Sequence, residues 1–122
     1  MRDYKDLKRF AEYFDFTVTS TTGGKHNVGS KHALGLAVDL MTRDKSNAEI
    51  TRFLLACVRL GVRVRDERIR PNKQRVWSGA HLHLEITSET LLTVIEFQKR
   101  YNLIADGIAG TQTLNALKSS VV

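Results

Sequence analysis

Two stretches of the sequence decide the fold: Ser30-Lys31-His32-Ala33-Leu34-Gly35-Leu36-Ala37-Val38-Asp39 and His81-Leu82-His83-Leu84-Glu85. The first carries an imidazole, His32, and a carboxylate, Asp39, seven positions apart. In the second, alternation with leucine places His81 and His83 on the same face of a strand. Imidazole nitrogen and carboxylate oxygen both bind zinc, and three protein ligands leave a fourth position for water. The two stretches therefore predict a zinc site of the catalytic rather than the structural type, as in a small zinc hydrolase.

The strand expected over 35–41 supports this prediction. Alternation puts Asp39 on one face with Ala37 and Met41, and the larger aliphatic side chains on the other face. A carboxylate without a partner would be costly against an apolar core. A cation would supply that partner.

The rest of the first 88 residues predicts an α+β scaffold. Leu7, Phe10, Ala11 and Phe14 have the spacing of one buried helical stripe. A second helix is expected to begin at a Ser-x-x-Glu capping box over 46–49 and to end at Gly61. Strands are expected over 16–20, 62–65 and 81–86. The predicted fold is a small, mainly antiparallel sheet flanked by helices and carrying the zinc site.

Composition limits the classes of partner. The 122 residues are 42% hydrophobic, which suits one compact domain with a small appendage, and a net charge of +6 favours anionic partners. Nucleic acid, anionic membranes and wall polymers all qualify, and the six basic residues of 62–75 form either a solvated surface or a binding surface for an anionic polymer. The single Cys57 excludes an intramolecular disulfide and is expected to be a buried, inert thiol.

Neither a secretory signal nor a membrane span is predicted. The N-terminus is charged from the second residue, and no run reaches the ~18 apolar residues of a membrane helix. We therefore expect synthesis in the cytoplasm, release by another route, and no membrane insertion.

The motif residues resemble a known family. Ser-x-His-x-x-Gly-x-Ala-x-Asp over 30–39 and His-x-His over 81–83 resemble the zinc peptidases that include D-Ala-D-Ala carboxypeptidases and L-alanyl-D-glutamate endopeptidases. These belong to a wider set that shares a fold with lysostaphin and hedgehog. The resemblance covers roughly residues 17–86.

The resemblance implies a role for each motif residue. His32, Asp39 and His83 would hold one Zn²⁺ per chain, and His81 would stand beside the water that the metal activates, as the base. Glu85 would either help in catalysis or orient a ligand imidazole from behind.

Two positions depart from the pattern. Many relatives have a glutamate base three residues before the last ligand, where this chain has Ala80. Many also have a substrate-binding arginine in the loop after the first strand, where this chain offers Lys25 or His26. His26 could instead be an exposed loop residue, and Trp77 could pack in the core instead of lining the cleft. The predicted substrate-binding residues are Lys25, His26, Ser30 and Trp77.

The last part of the chain is predicted to be a helical hairpin. An apolar helical pattern runs from Leu91 to Tyr101 with Thr87-Ser88 as candidate caps, and a last helix is expected to be capped by Thr111. Residues 97–117 resemble the closing half of the helical peptidoglycan-binding repeat of many wall hydrolases. So short a segment cannot bury a core alone, so we expect it to pack on the zinc domain, whether or not it has wall affinity of its own. The predicted division is 1–88 and 89–122.

Together the two resemblances imply action on the bacterial cell wall. The leading hypothesis is a monomeric zinc peptidase that cuts peptidoglycan cross-link or stem peptides, for example a phage or prophage endolysin. The alternative is a wall-binding protein that keeps the fold and the zinc without turnover. Nucleic-acid binding would rest on charge alone, and we expect none.

Overall fold

The computed structural model describes residues 1–22, 30–69 and 79–122. In these ranges the helices are α1 (Tyr4–Tyr13), α2 (Asn47–Leu60), α3 (Thr90–Arg100) and α4 (Thr111–Ser120), and the strands are β1 (Val18–Ser20), β2 (Ala37–Met41), β3 (Arg63–Glu67) and β4 (His81–Glu85). The strands form one sheet in the order β1-β2-β4-β3, and each neighbouring pair is antiparallel. The predicted α+β class is confirmed.

The first two helices form where their sequence signals predicted. In α2 the Ser46 hydroxyl accepts a hydrogen bond from the Glu49 amide at 3.1 Å, and the Ser46 amide donates to the Glu49 carboxylate at 3.2 Å. The helix ends at Gly61, whose φ of 69° is in the left-handed region that favours glycine. The predicted capping box and helix stop are both confirmed.

The core lies between one face of the sheet and α1 and α2. Phe10 and Phe53 stack with ring centroids 4.9 Å apart, and Leu40, Leu82 and Leu84 cover them from β2 and β4. Cys57 of α2 is also fully buried, and burial raises the pKa of its thiol, as expected for an inert cysteine. The opposite face of the sheet is therefore left to the polar side chains of β2, β3 and β4.

Strand boundaries differ from the predicted ones because of turns and pairing. β2 begins at Ala37 rather than Gly35, because Gly35 has a φ of 72° and closes a turn in which its amide donates to the His32 carbonyl. β3 continues two residues beyond the predicted end at Arg65, because Glu67 pairs with His81 at the start of β4.

The C-terminal helices pack on α2, and Lys118 of α4 contacts Tyr13 at the end of α1. Val94, Phe97, Leu114 and Leu117 join the same core cluster as the sheet residues. The Thr90 hydroxyl donates to the Gly61 carbonyl at 2.8 Å. The hairpin thus completes one core with the first 88 residues.

The predicted caps of these two helices are wrong. Helix α3 begins at Thr90 after an N-cap residue, Glu89. The Thr87 hydroxyl accepts from the Glu89 amide and lies 3.4 Å from the Thr90 hydroxyl. Thr111 is the first residue of α4, because Gly110 takes the extended N-cap conformation. In the described part of the chain, no helix has both the length and the apolar character needed to span a bilayer.

Candidate metal centre

Three side chains converge on the polar face of the sheet. Asp39 of β2 pairs directly with His83 of β4, and the turn before β2 brings His32 beside both. Asp39 Oδ1 lies 2.9 Å from His83 Nδ1 and 3.1 Å from His32 Nε2, and those two nitrogens are 3.1 Å apart. Both histidines are buried. The structure therefore brings together His32, Asp39 and His83 as a possible metal-binding triad.

The hydrogen bonds on the far side of each ring determine which nitrogen faces the cluster with a lone pair. His32 Nδ1 donates to the carbonyl of Thr21 at 2.8 Å, and His83 Nε2 donates to the carboxylate of Glu85 at 2.7 Å. In neutral imidazoles the opposite nitrogens are then unprotonated. Two lone pairs and a carboxylate oxygen thus face one point, an arrangement that needs positive charge between them.

The spacing of these atoms fits a divalent metal. Zinc holds imidazole nitrogen at about 2.0–2.1 Å, and at tetrahedral angles two ligand atoms then lie about 3.3 Å apart. The three distances here, 2.9 to 3.1 Å, are close to that value. Two imidazoles and one carboxylate are also a donor set that zinc accepts while keeping a fourth position open.

The electrostatics of the cluster also favour positive charge. Burial alone raises the pKa of Asp39, but when the rings of His32 and His83 are protonated their hydrogen bonds to its carboxylate outweigh burial and hold this pKa well below its usual range. Burial alone lowers the pKa of His32, but the hydrogen bond and the charge of Asp39 outweigh it and raise this pKa above its ordinary value. The cluster therefore stabilises a cation, whether a proton or a metal ion.

His81 lies beside the triad without joining it. Its Nε2 is 4.0 Å from Asp39 Oδ1 and 3.1 Å from the Glu67 carboxylate, and its Nδ1 donates to the Gly79 carbonyl at 2.7 Å. Its predicted role as the base stays a prediction. Glu85 contacts the ring of His83 on the side away from the triad, which is the geometry of an orienting residue.

Two residues of β3 share this face, although the two motifs do not predict them as site residues. Arg65 and Glu67 of β3 stand opposite His83 and His81 in the strand register, and Arg65 Nε lies 3.5 Å from Glu67 Oε1. Alternation along β3 puts both on one face, but only the pairing of β3 with β4 shows that this face is the histidine face. That pairing cannot be read from spacing alone.

Of the four predicted substrate-binding residues, the structure describes Ser30. Lys25, His26 and Trp77 lie outside the described residues. The Ser30 hydroxyl accepts from the Ala33 amide at 3.1 Å and so shapes the turn that carries His32.

A buried glutamine organises the C-terminal hairpin. Gln98 of α3 is 1% exposed, and its side-chain oxygen accepts from the Gly107 amide at 2.9 Å. Its side-chain nitrogen lies 2.9 to 3.0 Å from acceptors on Asp106, Ile108 and Thr113. This network fixes the loop between α3 and α4. Residues 86–117 match a family described as "Putative peptidoglycan binding domain".

We call residues 86–117 the peptidoglycan-binding segment. This segment covers about a quarter of the chain. It supports peptidoglycan as a partner and an association with the cell wall, in agreement with the predicted resemblance of the hairpin. Neither the curated proteins nor the solved structures gave a significant match to the chain. The resemblance of residues 17–86 to zinc peptidases is not supported by these comparisons and stays a hypothesis drawn from the motifs.

Proposed function

We propose that the protein is a zinc-dependent peptidase that hydrolyses a peptide bond of peptidoglycan, as a D,D-carboxypeptidase or an endolysin-type endopeptidase. One observation carries the proposal. The imidazole nitrogens of His32 and His83 and the carboxylate of Asp39 meet within 3.1 Å, with the ring protons directed away from the meeting point. The peptidoglycan-binding segment then favours the wall polymer as the substrate.

The chemistry divides between the metal and the chain. A zinc ion bound by His32, Asp39 and His83 would supply a Lewis acid and a water whose pKa falls to about 7. His81 Nε2, 4.0 Å from Asp39 Oδ1, would be the nitrogen that accepts and returns a proton. Glu85 holds the His83 ring in the tautomer that can bind the metal.

The surroundings suit an anionic peptide substrate. Arg65 lies across from His83 with 54% of its side chain exposed, so a guanidinium faces solvent on the same side of the sheet as the triad. Peptidoglycan stem peptides carry carboxylates, and Arg binds carboxylates through paired hydrogen bonds. Lys25, His26, Ser30 and Trp77 remain the predicted additional contacts. The place of action would be the bacterial wall, as for a phage or prophage endolysin.

Digestion of purified sacculi tests the proposal. The zinc-loaded protein should release new amino groups or free D-alanine, a chelator should abolish the release, and added Zn²⁺ should restore it. Mass spectrometry of the released muropeptides then identifies the bond. The matched control is His83→Ala, which should bind sacculi without releasing product.

The alternative function is a wall-binding protein without turnover. Ala80 favours this alternative, because many zinc peptidases of the family that the motifs resemble have a glutamate base at this position. Co-sedimentation with sacculi and zinc retention without any released amino group would establish the alternative. Failure to retain zinc would overturn both functions.

A further inference from the structure

We propose that Glu67 is a positioning residue for His81, so that the two side chains act as one contacting pair beside the metal-binding triad. The proposal rests on the proposed function, because it concerns the same site. It adds a residue from β3, the edge strand of the described sheet, which neither the motifs nor the family match includes.

The His81 ring is held from two sides. Its Nδ1 donates to the Gly79 carbonyl at 2.7 Å, and its Nε2 lies 3.1 Å from Glu67 Oε2. The hydrogen bond to Gly79 fixes the Nδ1 end of the ring, and the contact with Glu67 limits where the Nε2 end can turn. The backbone contact alone would leave the Nε2 end, which is the end nearer the triad, without a side-chain partner on β3.

The position of Glu67 follows from the strand pairing. Glu67 is the direct antiparallel partner of His81, and directly paired residues have Cβ atoms about 4.5–5.5 Å apart on the same face of a sheet. Its side chain is only 11% exposed, although a carboxylate is costly to bury without partners. Among the described residues, His81 contacts one oxygen of Glu67 and Arg65 contacts the other.

Asp66 shows that this placement is specific. It immediately precedes Glu67 in β3, but it pairs with Leu82. Its side chain is 41% exposed and forms an ion pair with Arg68 at 2.6 Å. The two carboxylates have the same charge and adjacent positions, and only Glu67 contacts His81. Asp66 therefore offers a matched control.

The pair is distinct from the metal ligands. His81 Nε2 is 4.0 Å from Asp39 Oδ1, whereas the three triad atoms lie within 3.1 Å of one another. Removing the Glu67 side chain should therefore change the orientation of the His81 ring without weakening metal binding by the triad. This separation makes the role of Glu67 testable without relying on activity alone.

The experiment compares Glu67→Ala, Glu67→Gln and Asp66→Asn in the full chain. Competition with a chromogenic chelator should give the same Zn²⁺ affinity for all three as for the unchanged protein, within about threefold. The side-chain ¹⁵N resonances of His81, identified from their loss in His81→Ala, should shift in Glu67→Ala and stay in place in Asp66→Asn. Glu67→Gln keeps an oxygen acceptor, so the His81 resonances should shift less in this variant than in Glu67→Ala.

Turnover supplies the second readout. Glu67→Ala should lower kcat by about 10- to 100-fold with little change in KM, and Glu67→Gln should recover part of the loss. In a His81→Ala background, Glu67→Ala should cause no further loss, because Glu67 acts through that ring.

Three results would overturn the proposal: unmoved His81 resonances in Glu67→Ala, a loss of kcat that adds fully to that of His81→Ala, or a tenfold loss of Zn²⁺ affinity. If the unchanged protein does not hydrolyse sacculi, the proposed function fails separately. The resonance comparison then decides the Glu67 contact by itself, and Glu67→Gln serves if Glu67→Ala does not fold.

Discussion

Each histidine of the triad owes its orientation to a hydrogen bond on the side of the ring away from the other two triad residues. The Thr21 carbonyl holds Nδ1 of His32, and the Glu85 carboxylate holds Nε2 of His83. A carbonyl can only accept, so the Thr21 contact fixes the His32 tautomer without any titratable partner. The Glu85 contact depends on a side chain, and it can therefore be removed by mutation.

Glu85→Gln replaces the charged acceptor of the His83 ring with a weaker neutral one, so it is expected to weaken Zn²⁺ binding by about tenfold, the lower end of what orienting partners contribute. Chelator competition measures the affinity. Glu89→Gln removes an exposed carboxylate four residues further on and should leave the affinity unchanged. Unchanged affinity in Glu85→Gln together with lost turnover would instead support the direct catalytic role that the sequence left open.

His83→Ala and His81→Ala should separate binding from turnover. His83 supplies one of the three triad atoms, so its removal should abolish stoichiometric zinc and hydrolysis together. His81 lies outside the triad, so His81→Ala should retain one zinc per chain and lose turnover. Elemental analysis of the purified variants gives the stoichiometry. Normal hydrolysis by His81→Ala would show that the predicted base is wrong.

Among the secondary-structure elements, those with a strong period could be predicted from sequence. The stripe of α1 and the capping box of α2 predicted both helices, and the alternation of 81–86 predicted which side of β4 faces the core. The caps of α3 and α4 could not be predicted, because Gly110 and Thr111 are both accepted at an N-cap and only backbone conformation distinguishes them. The presence of β3 residues beside the histidines could not be predicted, because strand register depends on tertiary pairing.

Gly61 joins two elements, since it ends α2 and lies against α3. A Cβ at this position would lie 2.6 Å from Thr93 Oγ1 and would need a left-handed backbone that alanine disfavours. Gly61→Ala should therefore lower the free energy of unfolding by about 2–4 kcal/mol. Gly110→Ala, with open space around it, should cost less than about 1 kcal/mol. Urea unfolding of both variants measures the difference, and equal losses would contradict the close approach.

Gln98 links α3 to the loop before α4, and its loss should loosen the peptidoglycan-binding segment. Gln98→Ala leaves the Gly107 amide and nearby acceptors without their buried partner, which should cost about 2–4 kcal/mol. Thermal unfolding measures this loss, and co-sedimentation with sacculi should fall in parallel. Gln112→Ala, on the exposed side of α4, is the control and should change neither quantity. A Gln98→Ala protein of full stability would show that the network is not required.

Across the whole molecule, the triad and the peptidoglycan-binding segment share one core. β2 and β4 carry Asp39 and His83 on one face and pack Leu40, Leu82 and Leu84 into the core on the other, where Val94 and Leu114 of the hairpin also lie. The Met1 ammonium and the Lys118 ammonium add contacts between the two ends of the chain, to the carbonyls of Gly107 and Tyr13. A ligand that binds at the triad should therefore also stabilise the helical hairpin of residues 89–122.

Zinc is expected to stabilise the entire chain. At 100 times its Kd, a ligand that binds only the folded state adds about 2.7 kcal/mol, which for a chain of this size raises Tm by about 10 °C. Calorimetry with and without Zn²⁺ measures the shift, and His83→Ala should show none. Because the core is continuous, hydrogen exchange of the core amides of α3 and α4 should slow along with that of β2 and β4. Slower exchange in the sheet alone would show that residues 89–122 unfold as an independent unit despite the shared core. An equal Tm shift in His83→Ala would show that zinc binds elsewhere in the protein.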